Sequence, residues 1–161
     1  MKFCLDSVII RPEKGFEIKN AIILLHGYGG DGNDISMLSL NWKRHMPNTV
    51  FICPNGHESC AINPSGYQWF DLTREDSDYI LEQSIKGEEV LKKFINEIKN
   101  EFKLSNNQIC LSGFSQGCMM SLNVGLTFEE KFLCIVGFSG KIINQKDLKN
   151  RIKNNTEILL I

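Results

Sequence analysis

Short apolar runs alternate along this chain with longer stretches whose apolar residues recur every three or four positions. The runs Cys4–Ile10, Ala21–His26, Val50–Pro54, Gln108–Ser112, Phe132–Phe138 and Glu157–Ile161 are rich in β-branched and aromatic residues and predict strands. Several, including AIILL at 21–25 and FLCIV at 132–136, are apolar without alternation, the pattern of strands covered on both faces. Over Asp78–Phe102, Gly87, Leu91, Phe94, Ile98 and Phe102 recur at helical spacing with Lys and Glu on the opposite side, which predicts an amphipathic helix. A second helix is predicted from Gln116 to about Thr127; its Gly117, Ser121 and Gly125 form a small-residue stripe that lets it lie close against a sheet. A third, near Asp34–His45, follows a glycine-rich turn. Strands alternating with such helices predict an α/β architecture, a mostly parallel sheet with helices on both faces. No repeat, low-complexity tract or linker breaks the pattern, so residues 1–161 read as a single domain. The stretch between Pro54 and Asp76 is predicted to be irregular, and loops of that length within a compact domain serve as lids or binding loops. Because the apolar run Glu157–Ile161 closes the sequence in mid-strand, the domain is expected to be incomplete, lacking a last strand and its covering helix.

Composition narrows the class. An apolar share of 42% is too high for intrinsic disorder. The 18 Lys and Arg against 19 Asp and Glu give no basic footprint for nucleic acid or an anionic membrane. No apolar run is long enough to cross a bilayer, and the amino terminus lacks the apolar core of a secretory leader, so a cytoplasmic protein without membrane insertion is expected. Cys4, Cys53, Cys110 and Cys134, four of the six cysteines, sit inside strand-like runs, where a free thiol behaves as a small buried hydrophobe. No pair shows C-x-x-C spacing, so neither a metal site nor dithiol redox chemistry is expected.

The chemistry-bearing signal is Gly113-Phe114-Ser115-Gln116-Gly117, a G-x-S-x-G that follows one apolar run and opens a helix. A nucleophile elbow needs that strand–turn–helix context: the turn holds the serine in strained backbone geometry, and a Cβ at either glycine would strike neighbouring backbone. The helix amino terminus supplies free N–H groups and a positive dipole end beside the serine oxygen. The competing reading is an ordinary tight turn with a capping serine. The second signal is LLHGYGGDGND at 24–34. An H-G-x segment after an early strand supplies one oxyanion-hole N–H in α/β-hydrolases, beside that of the residue after the nucleophile. The backbone amides of Tyr28 and Gln116 are therefore the candidate donors. As a phosphate loop the segment lacks the Lys-Ser/Thr pair and the G-x-G-x-x-G spacing, and Asp31 and Asp34 would repel the ligand. As a calcium loop it lacks the downstream bidentate Glu.

LLHGYGGDGND, PNG at 54–56, NPSGYQWFDL at 63–72, GFSQG at 113–117 and GFSG at 137–140 together resemble the phospholipase/carboxylesterase family, which includes acyl-protein thioesterases and lysophospholipases of the compact α/β-hydrolase fold. The resemblance implies a serine hydrolase of short-to-medium acyl esters, thioesters or lysophospholipids, working without a cofactor and in many cases as a homodimer. It implies Ser115 as nucleophile, the Tyr28 and Gln116 amides as oxyanion hole, and Trp69 and Phe70 lining an acyl pocket; anchoring of their loop in the core is the alternative for those two side chains. His26, Gly27, Gly113 and Gly117 would shape the site. The family's triad continues after the serine with an acid and a histidine. No histidine follows Ser115 here, so both partners are expected outside these 161 residues. His26 is expected to fix the oxyanion turn by hydrogen bonds, His57 lies on the long loop, and His45 is expected to be solvated. Asp147 has no imidazole to orient, and Asp71 is read as a hydrogen-bond partner within its loop. The alternative function is a non-catalytic or split-gene remnant that keeps the acyl pocket without turnover.

Overall fold

The computed structural model describes residues 3–161. Its strands are β1 (Ser7–Ile10), β2 (Asn20–Leu25), β3 (Thr49–Pro54), β4 (Glu58–Ser59), β5 (Tyr67–Gln68), β6 (Ile109–Phe114), β7 (Cys134–Phe138) and β8 (Ile158–Leu160). Its α-helices are α1 (Gly32–Trp42), α2 (Ser77–Phe102), α3 (Gln116–Thr127) and α4 (Gln145–Arg151). The main sheet runs in the order β1-β3-β2-β6-β7-β8, and β4 pairs with β5 in a separate hairpin. Within the main sheet of the described residues β1 alone is antiparallel to its neighbour; β2 pairs in parallel with β3 and β6, β6 with β7, and β7 with β8. Parallel neighbours need long crossovers, and α1, α2, α3 and α4 supply them.

The apolar runs of β2, β3 and β6 divide by the pleat, successive side chains pointing to opposite faces. Ala21, Ile23 and Leu25 face the larger core with Leu91, Phe94, Ile95 and Ile98 of α2 and Leu122 and Val124 of α3. Ile22, Leu24, Phe51, Cys53 and Cys110 face the other way, toward Ile35 and Trp42 of α1. Helix α3 lies against the sheet along its small residues. A Cβ at Gly117 would stand 2.7 Å from the His26 carbonyl oxygen, and one at Gly125 would crowd the Ile135 and Leu111 side chains. Capping follows the sequence. Asp31 accepts the Asp34 N–H at 2.8 Å to start α1, and Asp76 accepts the Tyr79 N–H at 2.8 Å to start α2.

The structure departs from the sequence expectations in three places. The 54–76 stretch is not wholly irregular, since it contains the β4–β5 hairpin. Helix α4 was not expected. It buries only Leu148, and Arg151 ties it to the buried Glu88 of α2 by bonds of 2.8 and 3.1 Å. Glu88 also accepts from Asn123 of α3 at 3.0 Å. Finally, the continuous apolar runs of β7 and β8 are not covered on both faces. Leu133 is 49% exposed and Ile158, Leu159 and Leu160 are 43–57% exposed, because β8 is the edge strand of the described sheet and α3 covers β7 on one face only.

Candidate active site

Ser115 sits at the sharp bend between β6 and α3, with φ 52° and ψ −113°, in a region that L-residues rarely adopt. Conformations of this kind cost on the order of 1–3 kcal/mol and persist only where the surroundings impose them. Here the Ser115 N–H donates to the Phe138 carbonyl at 2.8 Å, and its own carbonyl accepts from Met119 N–H at 3.1 Å. The flanking glycines are sterically required. A Cβ at Gly113 would stand 2.7 Å from the Cys118 amide nitrogen, and Gly117 abuts the end of β2. Ser115 is half-buried, so its side chain lies at the surface of the bend rather than in the core.

The turn after β2 lies beside this bend: a Cβ at Gly27 would stand 3.1 Å from the Phe114 ring. The long loop fixes its shape. Gly29, at φ 79°, donates its N–H to the Tyr67 carbonyl at 2.9 Å, and the Tyr67 N–H donates to the Gly30 carbonyl at 2.9 Å. Asn63 Nδ2 donates to the Gly29 carbonyl at 2.8 Å. Among the described residues, neither the Tyr28 nor the Gln116 amide N–H has a partner within the fold, so both remain available to an incoming anion. The Gln116 side chain is fully buried and clamps the loop to the elbow. Its Oε1 accepts the Trp69 N–H at 2.9 Å and its Nε2 donates to the Phe70 carbonyl at 2.7 Å.

The histidines have other tasks. Gly56 N–H donates to His26 Nε2 at 2.8 Å, which places the ring proton on Nδ1, 2.7 Å from the Gly27 carbonyl. Both nitrogens are thus committed, and burial holds the His26 pKa below its ordinary value. His57 is also held low by burial, with the Glu58 carboxylate, 3.6 Å from its Nε2, acting in the opposite direction. His45 is exposed and accepts from Arg44 Nε at 2.9 Å. None of the three bonds to Ser115 among the described residues. Asp147 pairs with Arg151 rather than with any imidazole. Asp71 accepts from Thr73 Oγ1 at 2.6 Å and Tyr79 Oη at 2.8 Å, and these bonds hold its carboxyl below the usual range. Among the described residues no group of three or more His, Cys, Asp or Glu is placed to hold a metal ion.

The family model described as phospholipase/carboxylesterase matches residues 6–161. The chain belongs to the phospholipase/carboxylesterase family. The acyl-protein thioesterase 1 of Schizosaccharomyces pombe is 30% identical over 145 residues, which are 84% of this chain and 61% of that relative. The protein of the same name from Candida albicans is 28% identical over 92% of this chain and 68% of its own length. The chain therefore spans about three fifths of the S. pombe relative. A solved structure described as esterase PE8 superposes with a TM-score of 0.91 at 35% identity, covering 97% of this chain and 73% of that one. The carboxylesterase from Mesorhizobium loti, at 16% identity and a TM-score of 0.77, shares the fold, with 99% of this chain and 72% of that one covered.

The family's motifs therefore converge on one scaffold. Asn55 Oδ1 of PNG accepts the Gly32 N–H at 2.8 Å, the neighbouring Gly56 holds His26, and Phe138 of GFSG holds the Ser115 amide. Trp69 and Phe70 have 0% and 1% of their surface exposed and lie in the larger core, the arrangement of the anchoring alternative. The Trp69 indole N–H donates to the His26 carbonyl at 3.0 Å, so the pair anchors the loop from beneath. The clamp made by the Gln116 side chain was missed at the sequence level. A glutamine at the helix start carries no sign of which distant backbone groups it will meet.

No helix among the described residues is long and apolar enough to cross a membrane.

Proposed function

We propose that these residues form the nucleophile and oxyanion-hole half of a serine hydrolase site for small acyl esters or thioesters, including lysophospholipid-like substrates. Ser115 Oγ attacks the acyl carbonyl carbon. The developing oxyanion is held by the Tyr28 and Gln116 amides, the alcohol or thiol departs with a proton, and water then hydrolyses the acyl-serine. The observation that carries this reading is the strained backbone of Ser115 beside a turn with an unspent amide. Thioester substrates are favoured by the relatives named acyl-protein thioesterase. The proton acceptor is expected outside the described residues, because none of the three histidines bonds to Ser115 there. Without it, only the ~10³–10⁴-fold acceleration supplied by oxyanion stabilisation and binding is expected.

Chemical rescue tests the proposal. Hydrolysis of p-nitrophenyl butyrate is measured for the chain and for Ser115→Ala as imidazole is added, subtracting the rate of imidazole alone. The expected result is weak turnover that rises with imidazole only in the parent chain, together with a butyryl adduct on Ser115 by mass spectrometry. Equal rates in parent and variant at every imidazole concentration would overturn the assignment and favour the reading of a non-catalytic remnant.

A further inference from the structure

A second serine shares the backbone strain of the nucleophile. Phe114 of β6 and Phe138 of β7 are register partners on adjacent parallel strands, so Ser115 and Ser139 follow them side by side at the carboxyl ends of the two strands. Open α/β sheets bind ligands in the crevices outside those ends. Ser139 has φ 52°, as Ser115 does, in the left-handed region that favours glycine. It is held from both sides: the Phe138 carbonyl accepts the Ser115 N–H at 2.8 Å, and the Ser139 N–H donates to the Ile161 carbonyl at 2.9 Å. The next residue packs against the elbow, since a Cβ at Gly140 would stand 3.0 Å from the Ser115 carbonyl oxygen. A glycine takes a positive φ without steric cost, as Gly29 does at 79°, whereas a side chain there is strained, and such strain gathers where a ligand is held. The register with β6 that sets this geometry is independent of what pairs with the outer edge of β8.

We infer that Ser139 is a specificity-determining residue: its hydroxyl hydrogen-bonds the departing oxygen of an ester and so admits oxygen esters to a site that thioesters use without it. The inference rests on the reading of Ser115 as nucleophile. The sheet order β2-β6-β7 places the turn that carries the Tyr28 amide on one side of Ser115 and Ser139 on the other. With the substrate's carbonyl oxygen turned toward the β2 side, its acyl chain and leaving group are the substituents left to face the β7 side. A hydroxyl set against an alkyl chain forfeits its hydrogen bonds to water. Set against the leaving heteroatom, it gains an acceptor whose negative charge grows as the bond breaks. In acylation Ser115 Oγ bonds to the carbonyl carbon, the C–O bond to the leaving group breaks, and its electron pair stays on the departing oxygen. The Ser139 hydroxyl donates a hydrogen bond to that oxygen, and an imidazole base delivers to it the proton taken from Ser115. A thiolate is the weaker base and leaves without such help, and its sulfur accepts hydrogen bonds weakly.

The test compares phenyl butyrate with S-phenyl thiobutyrate, which differ in a single atom. For each substrate the release of phenol or thiophenol is followed in a fixed concentration of imidazole, with the rate of Ser115→Ala subtracted, and the butyryl adduct on Ser115 is weighed. Ser139→Ala and Ser139→Gly are both expected to lower the ester rate by roughly tenfold, the upper range for loss of one neutral hydrogen bond, and the thioester rate by less than about twofold. A serine that serves only to shape the turn predicts another pattern, because glycine relieves the strain and would match the parent with both substrates. An unchanged ester rate in Ser139→Gly, or ester and thioester rates that fall by the same factor in both variants, would overturn the inference and leave Ser115 as the nucleophile. A parent chain with no Ser115-dependent rate on either substrate would overturn both readings.

Discussion

Replacing Gln116 by Ala removes a side chain that joins the elbow to the long loop. Two buried backbone groups, the Trp69 N–H at 2.9 Å and the Phe70 carbonyl at 2.7 Å, lose their partners together. An unsatisfied buried group costs about 1–3 kcal/mol. Two such groups suggest roughly 2–5 kcal/mol, toward the lower end where water enters the space left behind. With a urea m-value of roughly 2 kcal/mol/M, a loss of about 3 kcal/mol lowers the unfolding midpoint by about 1.5 M. Gln116→Met separates hydrogen bonding from volume, since it fills the space without pairing either group, and it should lose most of the same stability. Hydrogen exchange provides the local readout: the Trp69 amide should lose roughly 100-fold protection in both variants, since about 1.4 kcal/mol corresponds to a factor of ten. If Gln116→Met unfolds within about 0.5 kcal/mol of the parent, packing rather than the clamp holds the loop and the reasoning fails.

Gly117→Ala places a methyl group 2.7 Å from the His26 carbonyl and closer still to that of Leu25, so backbone must move. A loss of at least ~2 kcal/mol in urea unfolding is expected, together with loss of the imidazole-dependent turnover; an unchanged midpoint would remove the steric account of the elbow. Burial holds His26 and His57 below their ordinary pKa, so the unfolded chain binds more protons than the folded one as acidity rises. Stability from these groups is therefore complete above about pH 6.5 and declines as pH falls below it, by at most ~1.4 kcal/mol per pH unit for each ring. Unfolding curves at pH 7.5 and pH 5 should show this loss, and His57→Gln should shrink it; an equal loss in the variant would place the titration elsewhere.

Sequence periodicity was sufficient where an element's own side chains decide its structure. The stretch 116–127 is helical from its small-residue stripe, and 109–114 is a strand because its apolar residues are buried on both faces of the sheet. It failed where partners decide. Tyr67 and Gln68 form a strand of two residues with no apolar alternation of their own, and the backbone of Gly29 and Gly30 holds Tyr67 in place. Helix α4 carries only one buried apolar residue and depends on Arg151 reaching Glu88, 63 positions away. Trp69 and Phe70 illustrate a different limit. Aromatic residues on a long loop read equally well as substrate contacts or as anchors, because their burial depends on distant partners and not on the loop's own sequence. The register pairing of Cys110 with Cys134 was invisible for a third reason: spacing motifs detect neighbours along the chain, whereas parallel register brings together residues 24 apart.

The bonds that position Ser115 against the proposed oxyanion donors form a closed circuit. The Gln116 side chain holds residues 69 and 70; the Trp69 indole holds the His26 carbonyl; and the Tyr67 backbone next to it holds Gly29 and Gly30. The turn then returns to the elbow, where Gly27 meets Phe114 and Gly117 meets the end of β2. No member of that circuit is a proton acceptor for Ser115, so the geometry of the half-site does not depend on a triad histidine. Electrostatic stabilisation by fixed amides and proton transfer by a base are separate contributions to the rate. A chain with the first but not the second should therefore respond to a diffusible base. Loosening the circuit at Gln116 should weaken that response without touching the serine itself.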